Sequence, residues 1–383
     1  MAVQLLLHEI SDLCLGKPPL RPLPLTATIA DAISLFRRSS GDTSLTVWSS
    51  PSLSGEPSIC IGKISVADVL CFLCREDNRN HPSLALSSPV SVLVPPKGGS
   101  IVKVLDPSSS ILDAVDSILE GAQGLIVPRR SRNSSSPKQR SSQKPSVGRQ
   151  FCWITQEDVI RFFFNSINHF SPTPFNTLQS LNIIEEKTLS VHYNDPALSA
   201  LNAICNSPSG QTAVAVVDNE GRLIGEISLY TLACCDETVA PAIVTLSAGD
   251  LMAYIDYGGP PEDLVQLVKT RLEEKKLDGM LELLEDHPST LSLSSCLSAS
   301  TSSSSDDEVV TTVKRTRSNS GLFASGTEPI ICHPRSSLIA VMIQSLSHRY
   351  NHVWVVEDDY SLVGIVTFSG MLKVFRDRVP CFS

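Results

Sequence analysis

The sequence predicts an α/β (α+β) fold built from a fourfold repeat, and three observations predict it. A seven-residue corner, Gly62-Lys-Ile-Ser-Val-Ala-Asp68, reads as a short apolar strand, a hydroxyl at its end and a carboxylate one turn into the next helix. It recurs as Gly225 to Thr231, as Gly364 to Gly370 and, without its opening glycine, as Cys152 to Asp158. Second anchors lie upstream in the alanines Ala32, Ala114, Ala200 and Ala340. Ala200 to Ser228 is 28 residues and Ala340 to Thr367 is 27, so repeats three and four agree within one. The apolar runs around the anchors follow one order in every unit: strand, helix, strand, strand, helix.

Taken in order, residues 1–24 read as an amphipathic helix over the first fifteen positions, ended by the proline-dense Lys17 to Pro24. Repeat one (25–88) has Thr28 capping a helix from Ile29 to Arg38, strands at Leu45 to Trp48 and Ile59 to Ile64, and Ser65 opening the helix that carries Asp68. Repeat two (89–175) has a strand at Ile101 to Leu105, a helix from Ile111 to Leu119 capped by Ser110, and a strand from Gly124. A basic, serine-rich loop at 128–149 splits its hairpin, and that composition reads as disorder. Repeat three (183–257) offers Asp195 as an N-cap with Pro196 preset for the first helical turn, then a hairpin across Asp218 to Gly221. A single long helix from Pro261 to Glu285, with Lys269 and Glu273 spaced to pair, fills the linker at 258–287. The serine-rich stretch 288–327 reads as disordered. Repeat four (328–383) places Ser336 as a cap and strands at Val353 to Glu357 and Leu362 to Val366.

A net charge of −9 argues against a nucleic-acid platform, which needs clustered lysine and arginine on an ordered face. The apolar start, Val3 to Leu7, is too short to span a membrane and has no basic residue ahead of it. The expected compartment is the cytoplasm, with the nucleus left open. Eleven cysteines without a regular framework suggest mostly reduced core residues, Cys71 and Cys74 on one helix face among them. No partner set with metal-site spacing accompanies that pair. No nucleophile elbow, phosphate-binding glycine loop or zinc-protease motif occurs, so no catalytic residue is assigned.

The unit order and the closing pattern of glycine, two apolar residues, serine or threonine and, three residues on, aspartate resemble the CBS domain. The N-terminal helix, basic loop and serine-rich insert are similar to those of plant CBS-domain proteins of the four-repeat, Snf4-like kind. The resemblance implies four CBS repeats paired as two Bateman modules, one with two and three with four. It implies clefts for an adenosine-containing ligand such as AMP, ADP, ATP or S-adenosylmethionine, with no other cofactor. A strand-end hydroxyl at a helix N-terminus suits a phosphate, and a carboxylate three residues on suits ribose hydroxyls. Carried over, Ser65 with Asp68 and Thr155 with Asp158 keep both polar groups, whereas Ser228 and Thr367 keep the hydroxyl alone. Thr231 and Gly370 stand where the carboxylate belongs. For a basic side chain facing phosphate, His352 is the candidate, and the poor basic supply suggests weak binding or a ligand with little phosphate. Each hydroxyl–carboxylate pair also has a plainer role as a helix cap.

The resemblance further implies a regulatory protein that signals to a partner, a protein-kinase complex being the natural choice, with self-association through the CBS units a further expectation. The alternative is a scaffold with degenerate clefts. Ser318 and Ser320, each three residues after an arginine, are candidate phosphorylation sites.

Overall fold

The computed structural model describes residues 6–38, 44–49, 59–94, 102–129, 151–207, 210–233, 235, 237–256, 260–285 and 328–378. Ser318 and Ser320, nearly all of the basic loop and the serine-rich insert lie outside the described residues.

Four three-stranded sheets, one per repeat, organise the chain. They are β1 (Pro22–Pro24), β2 (Ser44–Trp48) and β3 (Cys60–Ser65); β4 (Val102–Val104), β5 (Gly124–Pro128) and β6 (Phe151–Ile154); β7 (Ser190–His192), β8 (Ala213–Val217) and β9 (Leu223–Ser228); and β10 (Ile331–Cys332), β11 (His352–Val356) and β12 (Leu362–Thr367). In each sheet the first strand runs parallel to the second and the third closes antiparallel. A parallel pair needs a crossover. Helices α1 (Ile29–Arg38), α3 (Ile111–Leu119), α5 (Ala197–Cys205) and α11 (Leu338–His348) supply it, and the four alanine anchors lie on them. The closing helices are α2 (Val66–Leu73), α4 (Gln156–Asn165), α6 (Leu229–Ala233) and α12 (Phe368–Asp377). Between repeats three and four run α7 (Val239–Thr245), α8 (Ala248–Tyr254), α9 (Glu262–Glu274) and α10 (Asp278–Glu285). Hairpins one, three and four carry a register shift at the same place, next to Trp48, Val217 and Val356.

Two interfaces hold the repeats together, and they run in different directions. Sheet faces join repeat one to two through Trp48, Val102 and Ile126, and repeat three to four through Ala215, Trp354 and Ile365. These are the two Bateman modules. Helical faces join the modules to each other: Leu70 and Leu73 share a core with Leu201 and Leu232, while Phe163 stacks on Phe375 with ring centroids 4.6 Å apart. Repeat one therefore shares its main core with repeat three, and repeat two with repeat four.

Several elements differ from the sequence expectation. Pro22–Pro24 forms β1, which moves the start of repeat one into the segment assigned to a linker. An edge strand tolerates proline because its missing N–H is not needed by the ladder. The long helix is two: Lys276 adopts a left-handed φ of 54°, and Leu277 N–H donates to Leu272 O at 3.0 Å while Lys276 N–H donates to Glu273 O at 3.0 Å. This Schellman closure ends α9. Lys269 consequently meets Glu285 at 3.4 Å across the turn, not Glu273. Asp195 accepts from His192 N–H, and Ser336 from His333 N–H, so each caps a turn before its helix. Near the N-terminus the described residues hold a short 3-10 helix, Ile10–Cys14. Cys14 is bridged to Cys152 and Cys71 to Cys205, against the expectation of reduced core cysteines. Burial pushes the Cys74 and Cys332 thiols up to about 12, which makes them unreactive.

Candidate functional site

The corners share one construction. The third strand ends on a hydroxyl residue, or in repeat two one residue before it, the helix starts at the residue after the hydroxyl, and the hydroxyl turns back to an N–H in the first turn. In repeat one Ser65 Oγ accepts from Asp68 N–H at 3.3 Å, and Asp68 Oδ2 takes both Ser65 N–H and Ser65 Oγ–H at 2.6 Å. In repeat two Thr155 Oγ1 accepts from Asp158 N–H at 3.3 Å, while Asp158 Oδ2 takes the Thr155 N–H at 2.7 Å and its hydroxyl at 2.9 Å. Both are complete capping boxes at α2 and α4, and each box satisfies donors that the helix itself leaves over.

The other two corners replace the carboxylate. In repeat three Thr231 stands in for it: Ser228 N–H donates to Thr231 Oγ1 at 2.9 Å and Thr231 Oγ1–H to Ser228 O at 2.8 Å. Ser228 and Thr231 are both buried, so this corner is closed upon itself. In repeat four Thr367 caps α12 by accepting from Gly370 N–H, and Thr367 Oγ1–H donates to Glu185 Oε1 at 2.8 Å. Glu185 lies just ahead of β7 and bonds through its backbone to Ile365 in both directions. A Cβ at Gly370 would lie 3.9 Å from Glu185 Oε1, an ordinary van der Waals contact, so the imported carboxylate sits directly beside the position that lacks one. Sequence reasoning had no means to see Glu185, because the contact spans 182 residues.

The position two residues before each hydroxyl decides the character of each cleft. Strand alternation puts it on the sheet face opposite the helical core, the face that meets the paired repeat. Its occupants are Lys63, Trp153, Glu226 and Ile365. Lys63 is half-buried and near Asp68; desolvation pulls its ammonium pKa down from the ordinary 10.5, with the Asp68 charge opposing the shift. Among the described residues nothing bonds it. The sequence reading overlooked Lys63 and so underestimated the basic supply. Trp153 lies over Gly124, where an added Cβ would fall 2.1 Å from the indole. Its carbonyl and Asp158 Oδ2 both accept from Lys17 Nζ, at 3.0 and 2.5 Å.

Glu226 is fully buried. One oxygen takes Trp354 Nε1–H at 2.6 Å and bonds His352 Nε2 at 2.9 Å, while Oε1 is buried with no partner. His352 retains 4% of its exposure, with Asn351 Oδ1 on its other ring nitrogen at 3.0 Å. Its ring is thus spent on Glu226 and Asn351. The cleft of the C-terminal module holds a buried polar cluster, and among the described residues the corner of repeat one is the one beside a lysine, Lys63, that nothing bonds. No group of three metal-ligating side chains occurs among them, nor any helix long and apolar enough to cross a membrane.

Four corner-bearing repeats in two sheet-joined modules define a CBS-domain protein, and the CBS domain family model matches residues 325–377. The chain belongs to the plant CBS domain-containing proteins. It is 46% identical to CBS domain-containing protein CBSX5 of Arabidopsis thaliana, with 98% of each chain covered. It is 26% identical to CBSX6 of the same plant over 100% of this chain and 96% of that one. It is also 22% identical to the Arabidopsis SNF1-related protein kinase regulatory subunit gamma-like PV42b, covering 83% of this chain and 76% of the relative. Among solved structures, a Methanocaldococcus jannaschii protein described as an archaeal homolog of γ-AMPK superposes with a TM-score of 0.57 at 14% identity, covering 96% of this chain and all of that one. At that identity the likeness establishes the fold.

Proposed function

We propose that the protein is a non-enzymatic regulatory subunit whose N-terminal module binds an adenosine nucleotide and passes that occupancy to a partner protein. The repeat-one corner carries the reading: Ser65, Asp68 and an unpaired, half-buried Lys63 share one cleft wall. Among the described residues the bonds to the Asp68 carboxylate fall on Oδ2, which leaves Oδ1 for ribose hydroxyls, and the Lys63 ammonium suits a phosphate. Among the adenosine ligands, that cation favours AMP, ADP or ATP over the sulfonium of S-adenosylmethionine. The kinship with a kinase gamma-like subunit supports a protein-kinase complex as partner.

A second reading applies to the C-terminal module alone. The Glu226, His352 and Trp354 cluster occupies its cleft, which favours a structural part for repeats three and four. Calorimetry of the full chain with AMP, ATP and S-adenosylmethionine, beside Asp68→Ala, tests the proposal. Binding of AMP or ATP that is lost in Asp68→Ala is expected. No binding of any of the three at millimolar concentration overturns the ligand reading, and unchanged binding in the variant overturns the site.

A further inference from the structure

The segment that leads into the first strand of each module does the same thing twice. Ahead of β1, Leu20 N–H donates to Phe151 O at 3.1 Å, so residues 17–20 run alongside β6, the third strand of repeat two. Ahead of β7, Glu185 pairs with Ile365 of β12, the third strand of repeat four. Each leading segment thus crosses to the second repeat of its own module before starting the first. Each also drops one charged side chain on the corner it passes, and the charge complements what the corner holds. Repeat two has its own carboxylate and receives Lys17; repeat four has Gly370 in that place and receives Glu185.

From this we infer that Lys17 is a built-in occupant of the repeat-two corner, so that the chain takes one nucleotide, at repeat one, and releasing Lys17 opens a second site at Thr155 and Asp158. Lys17 Nζ is bound to the same carboxylate that a ribose would need and to the Trp153 carbonyl beside it, and both charged side chains are largely withdrawn from solvent. The segment has further hold in the Cys14–Cys152 bridge and in Leu20, which packs with Trp48, Phe151 and Trp153. Among the described residues the equivalent corner in repeat one has no such visitor, and its acid lies near Lys63 of its own strand. The two corners match in their capping bonds and differ in this guest and in the residue two before the hydroxyl, Lys63 in one and Trp153 in the other. The inference rests on the adenosine-nucleotide reading above, and the same titration separates their failures.

Titration calorimetry with AMP and with ATP, on the full chain, is run for wild type, Lys17→Met, Lys17→Gln and Lys17→Arg. One site per chain is expected for wild type and for Lys17→Arg, which keeps the charge. Two are expected for Lys17→Met and Lys17→Gln, the second lost again when Asp158→Ala is added. A second site in either neutral variant suffices if the other fails to fold. One site in all four proteins, or two in wild type, overturns the inference and leaves the nucleotide reading standing. A site seen only in the neutral variants supports the plug and removes the repeat-one assignment. No heat from any protein overturns both.

Discussion

Removing the Glu226 carboxylate should unfold the C-terminal module well before the rest of its chemistry is touched. Glu226→Ala strips the Trp354 indole N–H of its acceptor and the His352 ring of its partner, both at positions with almost no solvent access. An orphaned buried hydrogen-bonding group costs about 1–3 kcal/mol, and two are orphaned here. Together, a total of about 4 kcal/mol is expected. With a urea slope of roughly 2–3 kcal/mol per molar, the midpoint falls by about 1–2 M. Glu226→Gln is the matched control. Its carboxamide oxygen, in the Oε2 place, still accepts from Trp354 Nε1–H, so it should lose about 1–3 kcal/mol less than alanine does. Urea unfolding followed by tryptophan fluorescence reads both. Equal losses in the two variants would refute the claim that hydrogen bonding within the cluster holds the two sheets together, as would a loss below about 1 kcal/mol for alanine.

Three further substitutions carry four expected outcomes. Lys63→Met should weaken ATP binding by about 30-fold, the worth of a charge-assisted hydrogen bond of roughly 2 kcal/mol, while adenosine binding changes little in calorimetry. The same substitution should raise the melting temperature near neutral pH. Burial sets the folded pKa of Lys63 below 10.5, so its charge is a penalty that is full below the folded value and fades as pH climbs toward 10.5; the gain in scanning calorimetry must fade over that window. Gly364→Ala places a Cβ 2.7 Å from Glu185 O, a backbone atom that cannot turn aside, and should cost about 1–3 kcal/mol in urea unfolding. Phe375→Ala removes the ring that stacks on Phe163 between repeats two and four, with an expected loss of about 3–5 kcal/mol by the same measure.

What the sequence made legible was local. The caps at Ser65, Ser110 and Thr155 hold because a hydroxyl followed three residues later by aspartate has one economical way to meet a helix start. Strand order and the Asp218 to Gly221 turn were readable for the same reason, since alternation and turn chemistry act over a few residues. The rest depended on contacts between distant segments. Lys17 sits in a proline-rich run whose composition announces only an end to helix, and its partner Asp158 is 141 residues away. Glu226 reads as one polar residue in an apolar strand until β11 brings His352 and Trp354 against it. Lys63 was plainly visible, yet it took strand register to show that it shares a face with the corner and the cleft.

The two interface directions give the molecule a particular way of transmitting force. Helix α2 begins at the Ser65 corner, and its far side lies in the core shared with α5 and α6 of repeat three. The proposed ligand at that corner would therefore press on the other module through close-packed side chains that have little room to absorb the shift. Its own paired repeat feels the event through a separate, smaller contact of Trp48 with Val102 and Ile126. Occupancy of the proposed N-terminal cleft would accordingly be felt in repeat three, across the buried helical core and away from the ligand.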